Sequence, residues 1–121
     1  MVERKERRKY PRVKDKNISI KLSGEGFDTI TQSLDVSASG IYCKVKKHIP
    51  LMSRVQIVLT LPVKGDPSNP TSLDVDGIVV REHPVIENGR VHHYDLAIFF
   101  DSLLPRHRKK LVQYINQRSK S

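Results

Sequence analysis

Residues 55–62 read VQIVLTLP, and the largest apolar side chains of this segment recur at every second position. Val55, Ile57 and Leu59 therefore point to one side of an extended chain, while the residues between them point to the other. A period of two is typical of a strand that turns one face toward a core. The proline at position 62 lacks a backbone donor and closes the segment, which we interpret as a half-buried strand.

The same alternation recurs on both sides of this strand. Upstream it covers residues 18–22, 27–34 and 41–45, and downstream it covers residues 73–81 and 91–100. Six strands in a chain of 121 residues fit one domain with a single core. Because closing the sheet removes its unpaired edges, we predict an all-β fold, a small six-stranded antiparallel barrel.

The connections between the strands have their own signatures. Residues 64–72 are dense in Gly, Pro, Asn, Asp and Ser, which predicts an exposed loop. The last two strands are expected to form a hairpin-like arrangement across Pro84, Asn88 and Gly89.

The end of the chain changes from the period of a strand to that of a helix. Leu104, Leu111 and Ile115 fall at helical spacing, and Pro105 suits the first turn. We therefore predict one C-terminal amphipathic helix, followed by a basic tail, within residues 105–121.

The formal charge of +9 is concentrated at the two ends. Residues 1–12 carry six basic and two acidic side chains, and residues 105–121 carry six basic and no acidic ones. We therefore divide the chain into a flexible basic arm (1–12), the barrel (13–104) and the helix with its tail (105–121). An excess of positive charge favours an anionic partner.

Cysteine usage predicts the compartment. Cys43 is the only cysteine, so no internal disulfide can form, and no segment has the apolar run of a signal peptide or a membrane span. A reduced, cytoplasmic setting is the expectation. Since Cys43 alternates with Ile41 and Val45, we interpret it as a small buried core residue.

Two short motifs stand out from this barrel pattern. The first is Arg8-Lys9-Tyr10-Pro11-Arg12, an R-x-x-x-R before the first strand, in which the proline favours an extended or turned chain. The second is Asp35-Val36-Ser37-Ala38-Ser39-Gly40, a D-x-S-x-x-G between two strands. Together, in this order and on a chain with six predicted strands, they resemble the two motifs of the PilZ family.

The resemblance implies a six-stranded PilZ-type barrel that binds the bacterial second messenger cyclic di-GMP. The side chains suit that ligand, because arginine can meet phosphate or the guanine O6 and N7 atoms with two donors and can stack on a purine. The Asp35 carboxylate complements guanine N–H groups, Ser37 can donate to phosphate or accept from a base, and Gly40 permits close backbone approach. The expected ligand-binding residues are Arg7, Arg8, Arg12, Asp35, Ser37 and Gly40, with Ser39 and Arg81 as additional candidates.

The resemblance also implies how such a protein acts. It predicts a receptor without catalytic residues, metal or cofactor, in which binding of cyclic di-GMP orders the basic arm and creates a surface for a downstream protein partner. An arginine at position 7, directly before the motif, implies two stacked ligand molecules in place of one.

Other interpretations were weighed against this one. His92, His93, Tyr94 and Asp95 offer two possible metal ligands on each strand face, which is too few for a site, so an exposed strand pair is expected. Asp35 near Ser37 lacks a predictable histidine base for hydrolysis. A PilZ-fold adaptor that uses no nucleotide and a basic nucleic-acid-binding barrel stay open as alternatives.

Overall fold

The computed structural model describes residues 18–62 and 70–119, which form six strands and one helix. The elements are β1 Ser19–Gly24, β2 Phe27–Val36, β3 Gly40–Val45, β4 Arg54–Leu61, β5 Thr71–Glu87, β6 Arg90–Leu103 and α1 Pro105–Ser119. Every strand pairs antiparallel with two neighbours in a closed barrel of order β1-β2-β3-β6-β5-β4. The predicted fold class, an antiparallel six-stranded barrel with a C-terminal helix, is confirmed.

The core lies inside the barrel and extends under the helix. Alternate residues of all six strands are buried, and the α1 residues Leu111, Tyr114 and Ile115 join the same cluster. Each such side chain stabilises the fold by roughly 1.5–3 kcal/mol through the hydrophobic effect. No helix in the described part of the chain has the length and hydrophobicity of a membrane span.

The hairpin of β5 and β6 is longer than the sequence predicts. Pro84 lies inside β5, opposite Tyr94, and not in the connection where the sequence placed it. β4 pairs with β5 only as far as Ile78, so the ladder loses no bond to β4 at the proline. The turn itself is Asn88-Gly89, with φ angles of 54° and 76° that suit the tight hairpin turn.

The loop predicted at residues 64–72 is only partly within the described structure. Residues 64–69 of that segment lie outside the described residues, whereas Thr71 and Ser72 already belong to β5. The same holds for the predicted basic arm, since residues 1–17 also lie outside them.

Candidate ligand-binding groove

The D-x-S-x-x-G motif forms the turn from β2 into β3. The Ser37 N–H donates to the Gly40 carbonyl over 2.9 Å, and the Ser39 N–H donates to Ser37 Oγ over 3.2 Å. Ser37 Oγ also lies 3.1 Å from Ser39 Oγ, and the Ser37 side chain is buried. The Ser37 hydroxyl therefore stabilises the turn through these contacts. Ser39 lies nearer the surface.

Gly40 is required by the neighbouring strand. It pairs with Phe99 of β6, and a Cβ at position 40 would lie 2.6 Å from the Ile98 carbonyl oxygen. The sequence interpretation attributed this glycine to close approach of a ligand. The structure gives a different reason, because the backbone of β6 occupies the space that a side chain would need.

A β-bulge in β2 aims Asp35 outward. Ser33 lies opposite Cys43, and both are buried, whereas Asp35 lies opposite the half-buried Tyr42. In a regular strand, Ser33 and Asp35 would share a face, so Asp35 would point into the core. The additional residue at position 34 reverses the alternation, and the carboxylate reaches the outer face of the barrel.

A second bulge, in β5, does the same for Arg81. Val79 is fully buried opposite Ile98, while Arg81 is exposed opposite Ala97. Regular alternation would place residues 79 and 81 on one face, which would bury the guanidinium. The extra residue, Val80, turns Arg81 outward.

As a result, four outward residues form one row across four strands. Asp35 of β2 is opposite Tyr42 of β3, Tyr42 is opposite Ala97 of β6, and Ala97 is opposite Arg81 of β5. We call this set the cross-strand row. With neighbouring strands about 4.8 Å apart, its acidic and basic ends are separated by roughly 14 Å at the backbone.

A surface groove of about 310 Å³ lies over this part of the barrel. Its lining residues are Ser39, Gly40, Ile41, Tyr42, Val80, Arg81, Ala97, Ile98 and Phe99. The structure thus brings Ser39, Gly40 and Arg81 to one groove. Asp35 lies at its border, because it is paired with the groove residue Tyr42. Ser37 lies within the turn, and Arg7, Arg8 and Arg12 lie outside the described residues.

Cys43 lies behind the groove. Its thiol is buried in the core, and desolvation, together with the charge of Asp95, raises its pKa to about 12. A thiol with so high a pKa is almost entirely protonated at neutral pH and is a poor nucleophile. The interpretation of Cys43 as a core residue is confirmed.

The histidine segment of β6 differs from the expected exposed pair. His93 is buried, with Nε2 3.2 Å from Asp95 Oδ1 and Nδ1 2.9 Å from His92 Nδ1. Among the residues that the structure describes, His, Cys, Asp and Glu form no group of three that is arranged to hold a metal ion.

Sequence reasoning did not single out Tyr42, Val80 or Phe99, which line the groove. One signal was present for Phe99, because two successive phenylalanines in a strand cannot both face the core. Phe100 is buried and Phe99 is 49% exposed. A signal was present for Val80 as well, because simple alternation from the buried Val79 already places it on the outer face.

The fold is that of a small all-β module, a closed barrel with an outer groove and a C-terminal helix. The family model of the PilZ domain matches residues 6–117, and the chain therefore belongs to the PilZ domain family. No curated protein sequence gives a significant match to it.

Solved structures with the same fold include relatives from three bacteria. The inhibitor of motility MotI/DgrA of Bacillus subtilis is similar at 16% identity and a TM-score of 0.80, over 98% of this chain and 53% of that one. The PilZ domain of YcgR from Escherichia coli, solved with c-di-GMP, has 16% identity and a TM-score of 0.65 over 94% and 92%. The K. pneumonia MrkH–c-di-GMP complex has 10% identity and a TM-score of 0.65 over 99% and 57%. The chain thus spans about half the length of the first of these relatives.

Proposed function

We propose that this protein is a non-catalytic receptor for cyclic di-GMP that binds the nucleotide in the outer groove. The observation that carries the proposal is the cross-strand row, in which two bulges aim Asp35 and Arg81 outward beside the motif turn. Membership of the PilZ family supports it, as do the intact R-x-x-x-R and D-x-S-x-x-G motifs. Two of the structural relatives are complexes with this ligand.

The chemistry of the row suits a dinucleotide with two phosphates and two guanines. The Arg81 guanidinium has five N–H donors for phosphate oxygens or for a guanine edge. Asp35 has only acceptors when ionised, which complements the N–H donors of guanine. Opposite ends of the row therefore recognise opposite features of the same ligand.

The arginines at positions 7, 8 and 12 complete the proposed site. We propose that they contact the phosphates and bases and that the ligand thereby orders residues 1–12 against the barrel. The combined surface of arm, ligand and barrel would then bind a downstream protein partner in the cytoplasm. Such coupling needs only that the partner binds the liganded state more tightly than the free one.

Isothermal titration with cyclic di-GMP tests the proposal. Arg8→Ala, Arg12→Ala and Asp35→Ala should each weaken binding by roughly tenfold or more, because hydrogen bonds to charged groups contribute about 1.5–3 kcal/mol. Asp74→Ala is the matched control, since Asp74 is an exposed strand carboxylate of β5 outside the groove. Unchanged affinity in all three site variants would remove the assignment.

The same titration resolves two further points. A stoichiometry of two ligands per chain is expected from the arginine at position 7, and Arg7→Ala should reduce it to one. Repeating the measurement with random DNA at two salt concentrations addresses the basic nucleic-acid-binding alternative, for which affinity should fall steeply with salt.

A further inference from the structure

The floor of the groove has a regular arrangement of large and small side chains. Gly40 of β3 is opposite Phe99 of β6, and Tyr42 of β3 is opposite Ala97 of β6. All four lie on the outer face, because their neighbours Ile41, Cys43, Ile98 and Phe100 are buried in the core. The two aromatic residues therefore occupy one diagonal of a square and the two small residues occupy the other.

Gly40 and Ala97 place no large side chain between the two aromatic residues. Both are themselves buried: the β6 backbone lies where a Cβ of Gly40 would be, and the single methyl group of Ala97 is 9% exposed. All four residues line the same groove, in which Tyr42 is half-buried and Phe99 is exposed. The result is a shallow slot with an aromatic side chain at each of two opposite corners.

The exposure of Phe99 is not explained by packing of the barrel. Its side chain is 49% exposed, although a phenylalanine at this position could bury far more apolar surface. Val80, which lines the same groove and follows the buried Val79, is 52% exposed. A concave site with an apolar wall and a few polar groups at its ends is the usual form of a small-molecule site.

The distance expected between Tyr42 and Phe99 suits a planar ring placed between them. Diagonal neighbours on one face of an antiparallel pair lie about 7–8 Å apart. Carbon atoms in optimal contact are about 3.5–4.0 Å apart, so a planar group between two such side chains can contact both. Aromatic side chains also stack on nucleobases without regard to their hydrogen-bonding edges.

We infer that Tyr42 and Phe99 hold one guanine base of the ligand between them, above Gly40 and Ala97. This inference rests on the proposed function and assigns to the groove two binding residues that neither motif contains. With the base in the slot, its edge points along the cross-strand row toward Asp35 or Arg81.

Titration of alanine variants with cyclic di-GMP tests this assignment. Phe99→Ala and Tyr42→Ala should each weaken binding roughly five- to hundredfold, the range expected for loss of one stacking partner. Tyr42→Phe keeps the ring and should bind cyclic di-GMP more tightly than Tyr42→Ala, which tests whether the ring is what the ligand needs. Ile86→Ala is the matched control, because Ile86 is 63% exposed but lies near the hairpin turn outside the groove.

A fluorescence measurement gives an answer that does not depend on the alanine variants. The chain contains no tryptophan, so Phe99→Trp and Ile86→Trp each introduce one tryptophan whose fluorescence reports on its surroundings. Saturating cyclic di-GMP should quench the emission of Phe99→Trp and leave that of Ile86→Trp unchanged.

The outcomes separate the two proposals. Absence of binding to the wild-type protein overturns the proposed function and, with it, the assignment. Wild-type binding with unchanged affinity in both alanine variants, or with no quenching of Phe99→Trp, overturns the assignment alone. Losses in the two alanine variants, with Ile86→Ala unaffected and Tyr42→Phe binding more tightly than Tyr42→Ala, support it.

Discussion

The barrel has two outer faces whose cavities differ in size and in the charge of their lining. The groove face, over β3, β5 and β6, encloses about 310 Å³ and includes Arg81 and two aromatic residues. The other face, over β1, β4 and β5, has a larger cavity of about 490 Å³ whose charged lining is Lys21, Asp74 and Asp76. Two carboxylates against one lysine disfavour a phosphate-bearing ligand. Cavity volume alone would favour the other face, whereas side-chain chemistry favours the groove.

The two faces also differ in how regular their strands are. β4 pairs without a register shift with β1 and with β5, so side chains on that face follow simple alternation. The groove face depends on bulges in β2 and β5, which reverse the alternation just before Asp35 and Arg81. A further shift, between Asp76 and Gly77, lies beside the cavity of the other face, so the groove face is distinguished by bulges that turn a charged side chain outward.

The largest expected effect is that of a side chain at Gly40. Gly40→Ala should lower the free energy of unfolding by about 3 kcal/mol, because the new Cβ would press on the Ile98 carbonyl, which belongs to a paired strand. Gly26→Ala is the comparison, since no atom lies within 4 Å of the position of the added Cβ. The only cost there is the backbone strain of an alanine at a φ of 83°. Its cost should be about 1–2 kcal/mol. Equal losses in urea unfolding would contradict this explanation of Gly40.

The second-largest expected effect is on the affinity for cyclic di-GMP, measured for one arginine variant from each face. Arg81→Ala should weaken cyclic di-GMP binding by about 30-fold, since it removes the groove's guanidinium. Arg54→Ala should leave binding within about twofold, because Arg54 lines a cavity on the other face and pairs with Asp101 over 3.1 Å. A larger loss in Arg54→Ala, measured by calorimetry, would move the site to the other face.

High pH should destabilise the protein through Cys43. Burial, and secondarily Asp95, raises the folded-state pKa of the thiol to about 12 from an ordinary value of 9.0. The stabilisation is complete below pH 9 and is lost as pH rises from there toward 12, because the unfolded chain ionises first. Unfolding at pH 10 should therefore cost about 1.4 kcal/mol less than at pH 8. In Cys43→Ala this contribution should vanish, which a denaturant series at the two pH values can check.

The smallest effect compares the hydroxyl inside the motif turn with one on the other face of the barrel. Ser37→Ala should destabilise the fold by about 1 kcal/mol, because the buried hydroxyl accepts the Ser39 N–H within the turn. Ser102→Ala, at an exposed position beside Asp76, should change stability by less than about 0.5 kcal/mol. Thermal unfolding of the two variants distinguishes them, and equal midpoints would show that the turn does not depend on Ser37.

Much of the fold could be predicted from local patterns. The alternation in residues 55–62 and its repeats predicted six strands, and the change of period after Leu104 predicted the helix, because both periods are properties of the neighbouring residues themselves. The extent of the last hairpin could not be predicted in this way. Pro84 reads as a break, yet it is accommodated in β5 where the strand has β6 as its partner.

The strands, the helix and the two motifs, and hence the family, follow from local patterns of residues along the chain. The tertiary structure decided which way the candidate residues point: alternation placed Asp35 with Ser33 and Arg81 with Val79, and the bulges reversed both. It also decided that β3 lies beside β6, which brings Phe99 next to Gly40 from nearly half the chain away. A bulge and a strand pairing each depend on two segments of the chain. Neither can therefore be predicted from the hydrophobic period of a single segment.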